Sequence, residues 1–383
     1  MTIRFPSRAS VALVALALAT GAQAQIADIA ISSNDGHSVM QNGTPVAGSA
    51  ADSLVVIDLS GAPKVLSTVA VPGSVVGPPT AVALTRDGRF VIVTSATKLD
   101  PQDKTKNIPD TRAFVVDLAA SKIVGEVETG LAPASVALSP DNTLALIANR
   151  NEGTVSVFKW GNGALAPLGK IDTGNPKSNP SGLLFLPDGK AALLSRDGDN
   201  IVNVLRVDGE TVTIDKRPLT TGVRPYTMAL SGSGRHAAVS NMGRGDGDTD
   251  TVSLIDISRE PFRVVDSIAV GALPEGIRFS PDGAYLAIVA QEGSTKPKAS
   301  PFATDGGQLV MLAVEGNKMR RAADARIGHW SQGAAFSRDG KTVLVQNMVE
   351  RTISFFAWDG SRLKEGAPLQ FDNGPAAITT PWP

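Results

Sequence analysis

The chain has 383 residues, 36 basic and 37 acidic side chains, three His and no Cys. Near-neutral charge gives no electrostatic footprint for nucleic acid or anionic lipid. Without Cys there are no disulfides, thiolate metal sites, Cys-attached haem or acylated lipoprotein Cys.

Residues 1–24 read as a secretory signal peptide. Arg4 and Arg8 form a basic start, Val11 to Ala19 is an apolar run, and Ala22-Gln23-Ala24 is a small-residue cleavage site. The run is too short to cross a bilayer, and no later stretch approaches the ~20 apolar residues a membrane helix needs. The expected address is the periplasm, with secretion as the alternative.

From there one phrase recurs. Its clearest copy is Pro133-Ala134-Ser135-Val136-Ala137-Leu138, the turn Ser139-Pro140-Asp141-Asn142, then Leu144 to Asn149. Alternating apolar residues on both sides of a type I turn predict a hairpin. Related turns occur at Asp87-Gly88, Asp188-Gly189, Ser233-Gly234, Asp282-Gly283 and Asp339-Gly340, with a weak copy at Asp35-Gly36. The spacing is 45 to 57 residues, the period of propeller blades rather than helical solenoids. Third strands such as Leu54–Asp58, Thr154–Lys159 and Val252–Asp256 follow, and fourth strands end on Gly130, Gly174, Gly222 and Gly271. The expectation is an all-β, seven-bladed propeller of four-stranded antiparallel blades, a single closed domain over 25–383. Residues 26–31 and 375–380 both look like first strands. One is expected to complete blade 1 and the other to pair at its outer edge.

Val-Ala-Leu-Ser-Pro-Asp, a strand ending in Asn, Gly-Thr-Val-Ser-Val and Ile-Asp-Thr-Gly together resemble the YVTN-type propeller repeat, over nearly the whole mature chain. The resemblance implies kinship with surface-layer and periplasmic propellers, and with seven-bladed lactonases and muconate-lactonising enzymes. No residues match the His and acid pairing expected of the lactonising propellers.

Ligands of propellers usually bind where second-strand ends and the links into first strands meet around the axis. The aligned strand ends are read as Gln41, Ser95, Asn149, Ser195, Asn241, Gln291 and Asn347. Such side chains commonly satisfy loose backbone groups. The next ring holds Arg150, Arg196 and Glu292, and the links add Arg224, Tyr226, Glu275, His329 and Trp330. Arg150 and Arg196 are placed to fork one anion. His37 and His236 are read as following turns at the opposite end, which rules out a three-His metal site. Insertions at 97–112 and 293–307 break the repeat, with Phe302 a candidate cap for the funnel. Asp246, Asp248 and Asp250 resemble the opening of a Ca²⁺ loop without its closing Glu. No other cofactor is indicated.

The main expectation is a non-catalytic, monomeric periplasmic propeller binding a small polar or anionic ligand, or a protein, at its funnel. The alternative is a lactonase-like hydrolase or isomerase, with Glu275, Glu292 or His329 as acid–base groups and the arginines holding a carboxylate. A further alternative is an accessory of a periplasmic redox enzyme.

Overall fold

The recurrent turns do join antiparallel strands. The computed structural model describes residues 28–381; the proposed signal peptide lies outside them. In blade 3, Ser139 donates its hydroxyl to Asp141 at 2.6 Å and accepts from the amides of Thr143 and Leu144. These side-chain bonds hold the corner that Pro140 presets. Asn142, Gly88, Gly189, Gly283 and Gly340 share one left-handed position, with φ between 55° and 72°. Glycine fills it most often because no Cβ opposes that geometry.

Strands Pro133–Leu138, Leu144–Asn149, Thr154–Gly161 and Ala164–Asp172 make blade 3, paired in that order. Six further sheets repeat the plan. In blade 7 the outer strand is split into Leu363–Glu365 and Leu369–Gln370. No helix occurs among the described residues. Inner strands are buried on both faces, since each sheet covers its neighbour; Leu144–Asn149 is buried throughout. Outer strands alternate exposed and half-buried, as in Lys122–Glu128. The core therefore lies between blades. Phe336 and Phe356 of blade 7, for example, pack on Val289, Leu309 and Met311 of blade 6.

Ring closure differs from the expectation. Gly374–Thr379 is the innermost strand of blade 1, and Ile29–Asp35 lies between it and Ser53–Asp58. Neither terminus takes the outer edge, which is Lys64–Ala70. Ile29–Asp35 is buried along its whole length and Gly374–Thr379 over all but its last residue, and an inner position buries two faces where an edge buries one. The Asp35-Gly36 copy is consequently not a lower turn. Asn34 pairs with Ser53 as Asn149 pairs with Thr154, so Asp35 lies at the upper, strand-end face. A hairpin, Ser38–Gln41 with Thr44–Ala47, then intervenes before the third strand. Gln41 is exposed in that hairpin and is no member of the strand-end ring. The 97–112 insertion is a hairpin extension, with Leu99 opposite Asn107, rather than a free loop.

Candidate active site

Register fixes which side chains face the axis. Asn149, Arg196, Asn241, Ala290 and Asn347 each pair with the first residue of their blade's inner strand: Pro133, Pro180, Pro225, Pro274 and Ser331. In blade 1 the counterpart is Asn34, opposite Pro375, the second residue of its inner strand. Ser195 and Gln291 are thus one residue out of the ring assigned from sequence. A one-residue slip along a strand exchanges its two faces.

Three of the true members are wired inward to the blade. Asn149 accepts from the amide of Gly130 at 3.0 Å and donates to Thr154 and Ser156, both at 2.9 Å. Asn347 accepts from Gly328 and donates to Thr352 and Ser354. Asn241 donates to Thr251 and Ser253. A Cβ on Gly130, Gly222 or Gly328 would meet these amides at 2.5 to 2.8 Å, which explains the glycines ending the preceding blades.

Arg196 takes the same inward route. It donates to Asn203 at 3.0 Å and pairs with Asp199, and it is 8% exposed. It does not meet Arg150. The partner of Arg150 is instead Asp197, the next residue, at 2.5 Å, with a second bond to Ser181. Asp197 is 3% exposed and lies 3.8 Å from Arg224. The Arg150 guanidinium stands 5.3 Å from the centre of the Tyr226 ring.

Glu275 completes the group. It is 4% exposed, and the side-chain amide of Gln291 donates to it at 3.0 Å. Burial pushes its carboxyl up to about 8, against the lowering pull of Arg224 and Arg150 and with a raising push from Asp197. The Tyr226 phenol is also driven up, by burial first and then by Glu275. Burial opposes the charge on Arg150, but Tyr226, Asp197 and Glu275 hold it above its usual range. Ser181, Tyr226, Glu275 and Gln332 occupy one equivalent position on blades 4 to 7, immediately after the first inner-strand residue. They form a polar arc. Ala134 holds that position on blade 3, and Ala376, which follows Pro375, is its counterpart on blade 1; neither presents a polar side chain. Arg224, with 37% of its side chain exposed, is the outermost of the arginines.

Of the residues singled out in the sequence, Arg150, Arg224, Tyr226 and Glu275 converge. Asn149 and Arg196 are turned into their blades. Glu292 accepts from the Ala272 amide at 3.3 Å and ties down the link into blade 6, as Glu152 does for Leu131 in blade 3. Trp330 packs on Val75, Met348 and Ala376. His329 binds Glu350 at 2.6 Å over blade 7. Phe302 is 47% exposed and lies on Gly247, not over the mouth. Asp197 was missed, and Gln291 was placed in the strand-end ring rather than beside Glu275. A fixed count finds them: eight residues separate Asp141 from Asn149 and Asp339 from Asn347, and the same step leads from Asp188 to Arg196 and from Asp282 to Ala290. The residues that follow are Asp197 and Gln291.

The acidic loop read as the opening of a Ca²⁺ site is tied down by its last member. Asp250 accepts from the Leu273 amide at 2.9 Å; burial raises its carboxyl and Asp246 and Asp248 stand near enough to add to the rise, but the three do not bring their oxygens within 4.8 Å of one another. Among the described residues, only Asp35, His37 and Asp52 bring three ligand-type atoms within 4.8 Å of one another. His37 is on the upper face, contrary to the sequence reading, because its blade enters one strand later than supposed. Its Nδ1 donates to both Asp52 oxygens at 3.0 Å and lies 3.2 Å from Asp35. Asp35 also accepts from the amides of Ser38 and Val75, and Asp52 from those of Gly36, His37 and Gly73. The cluster has the ligand types for a cation, but its oxygens are already engaged by the chain.

No family model matches the sequence, and no curated relative matches it. Solved structures do. A candidate 6-phosphogluconolactonase from Bacteroides uniformis is 17% identical, covering 93% of this chain and all of its own, with TM-score 0.70. The periplasmic gluconolactonase PpgL of Pseudomonas aeruginosa is 18% identical over 92% of this chain and 98% of its own, also at 0.70. A second candidate 6-phosphogluconolactonase, from Bacteroides fragilis, is 17% identical over 92% and 98%, at 0.68. At these identities the likeness establishes the seven-bladed fold. It also corrects the main functional expectation: propellers bearing lactonase names stand beside this chain, which favours the lactonase-like alternative over a non-catalytic binding module.

Proposed function

We propose that this chain is a lactone hydrolase of the YVTN-like propeller type, exported to the periplasm, acting on the lactone of a sugar acid. The observation that carries the proposal is Glu275: a buried carboxyl with an elevated proton affinity, held by an amide and flanked by two arginines. Such a group is a strong base once ionised. As water attacks the lactone carbonyl carbon, Glu275 takes its proton. The ring carbon–oxygen bond then breaks, and Glu275 returns the proton to the leaving ring oxygen, giving the open hydroxy acid. Arg224 and Arg150 neutralise the negative charge that builds on the carbonyl oxygen and hold the acid formed. Asp197 keeps both guanidiniums at the mouth and leaves a net positive charge there while Glu275 is protonated. The neighbours' names support a six-carbon aldonolactone as substrate, with or without a terminal phosphate.

The test is hydrolysis of both kinds of aldonolactone by purified protein, followed as acid release. Turnover above the spontaneous rate, rising with pH to a plateau above about 8, is the expected result. A wild-type rate equal to the spontaneous one ends the proposal.

A further inference from the structure

The two insertions that flank blade 7 build a cavity of their own, apart from the Glu275 group. The blade 1 hairpin, residues 38–47, and the blade 6 loop, residues 291–306, both rise over the short blade 7 loop. They touch at the top: a Cβ on Gly43 would fall 2.6 Å from the Pro297 ring. Beneath this contact lies a space of about 550 Å³. That is the size of a small-ligand site, and its construction is typical of one, with mostly apolar walls and a few convergent polar groups.

Met40, Val349 and Ala303 supply apolar wall. His329 supplies a fixed polar group. Its Nδ1 donates to Glu350, and Glu350 also accepts from the His329 amide at 2.9 Å, so the ring cannot turn. Nε2 is left for the cavity, 3.6 Å from the exposed Asp305. Lys296 and Lys298 provide positive charge. Lys296 is half-buried in the wall shared with a smaller space of about 150 Å³ against Gly245 and Gly247, and its Nζ stands on the Gly245 side of that wall, where a Cβ on Gly245 would lie 3.3 Å from it. Among the described residues, neither lysine has a carboxylate within 4.0 Å. Asp305 is the one acid in the lining, so the two ammoniums leave the wall net positive, which attracts an anion. Glu275 and its arginines take no part in this lining.

We infer that this cavity binds a small amphipathic organic anion, its apolar body against Met40 and Val349 and its acid group toward Lys296 and Lys298. The two insertions are absent from the regular blade repeat, so the site is built by them and not by the propeller frame.

The experiment uses full-length mature protein and 1-anilinonaphthalene-8-sulfonate, which joins an apolar body to one fixed negative charge. Wild type is expected to bind one equivalent saturably, seen as enhanced fluorescence. Lys296→Gln with Lys298→Gln should weaken binding at least tenfold, and Val349→Trp, at an exposed position, should block it by filling the space. Glu275→Gln should bind as wild type. Melting temperatures of the variants separate loss of the site from loss of the fold; if Val349→Trp melts early, the double Gln variant decides alone. No saturable binding by wild type overturns the inference. So does binding that survives the double Gln substitution, or binding that disappears in Glu275→Gln, which would place the probe at the mouth.

Discussion

Two buried acid clusters lie on the upper face, and they are built on opposite principles. In Asp35–His37–Asp52, five backbone amides and one imidazole converge on two carboxylates. The imidazole's other nitrogen lies 3.0 Å from the Thr97 hydroxyl. At the mouth, the Glu275 carboxyl is nearly as deeply buried but, among the described residues, receives one side-chain bond, from Gln291. The first cluster is saturated, and its role is to fasten the hairpin base to the link at Gly73–Val75. The second is underpaired, and burial without pairing is what raises a carboxyl's proton affinity. A chain can hold many buried acids; the ones left short of partners are those available for chemistry.

The comparison is sharpened most by Glu275→Gln. The substitution keeps shape and removes the base. Lactone turnover should fall by about 10²–10⁴-fold, while the melting temperature holds or rises, because an uncompensated buried acid is lost. A variant that melts much earlier than wild type, with catalysis intact, would reverse the assignment of the two clusters.

His37→Ala should do the opposite. It leaves Asp35 and Asp52 facing each other without the imidazole N–H between them. Breaking a buried pair this way costs about 3–5 kcal/mol. Urea unfolding should show that loss, while kcat/KM of the still-folded fraction stays near wild type.

The blade frame was legible in the sequence because each turn carries its own chemistry. Ser-Pro-Asp-Gly dictates a corner wherever it occurs, and alternation dictates strands on both sides. Closure was not legible: 26–31 and 375–380 have the same apolar alternation, and only packing decides which is inner. The site was half legible. Arg150, Arg224, Tyr226 and Glu275 could be found by their place in the repeat. Asp197 was not, because Ser195 looked like a polar strand end and shifted the count by one. In a structure of period two, that error replaced a residue at the mouth by one turned away from it.

Stability against pH separates the clusters again. Asp35 is raised to about 6, chiefly by burial, and Glu275 to about 8 for the same reason. Burial opposes the charge on His37, but Asp52 and Asp35 raise it overall. Each of these groups binds its proton more tightly when folded than unfolded. Their stabilisation is therefore full at low pH and drains as pH rises: through about 4 to 6 for Asp35, up to about 8 for Glu275, and above the ordinary His range for His37. The slope from one such group is at most about 1.4 kcal/mol per pH unit. Wild type should lose stability between pH 6 and 8, and Glu275→Gln should lose less over the same span. Equal slopes in the two proteins would mean that Glu275 is already ionised at neutral pH.

The smallest effect falls on adjacent residues, and it tests the register directly. Arg196→Met removes a guanidinium that is bound to Asn203 and Asp199 inside blade 4. Lactone kcat/KM should stay within about threefold of wild type, at a modest stability cost of about 1 kcal/mol. Asp197→Asn removes one charge that holds Arg150 beside Tyr226 and faces Arg224. Its KM should rise by about tenfold as the arginines lose their common anchor, with the melting temperature little changed. If Arg196 proved the more sensitive of the two, the mouth would be lined by the other face of that strand, and the underpaired cluster would have to be rebuilt around Arg196 instead of Asp197.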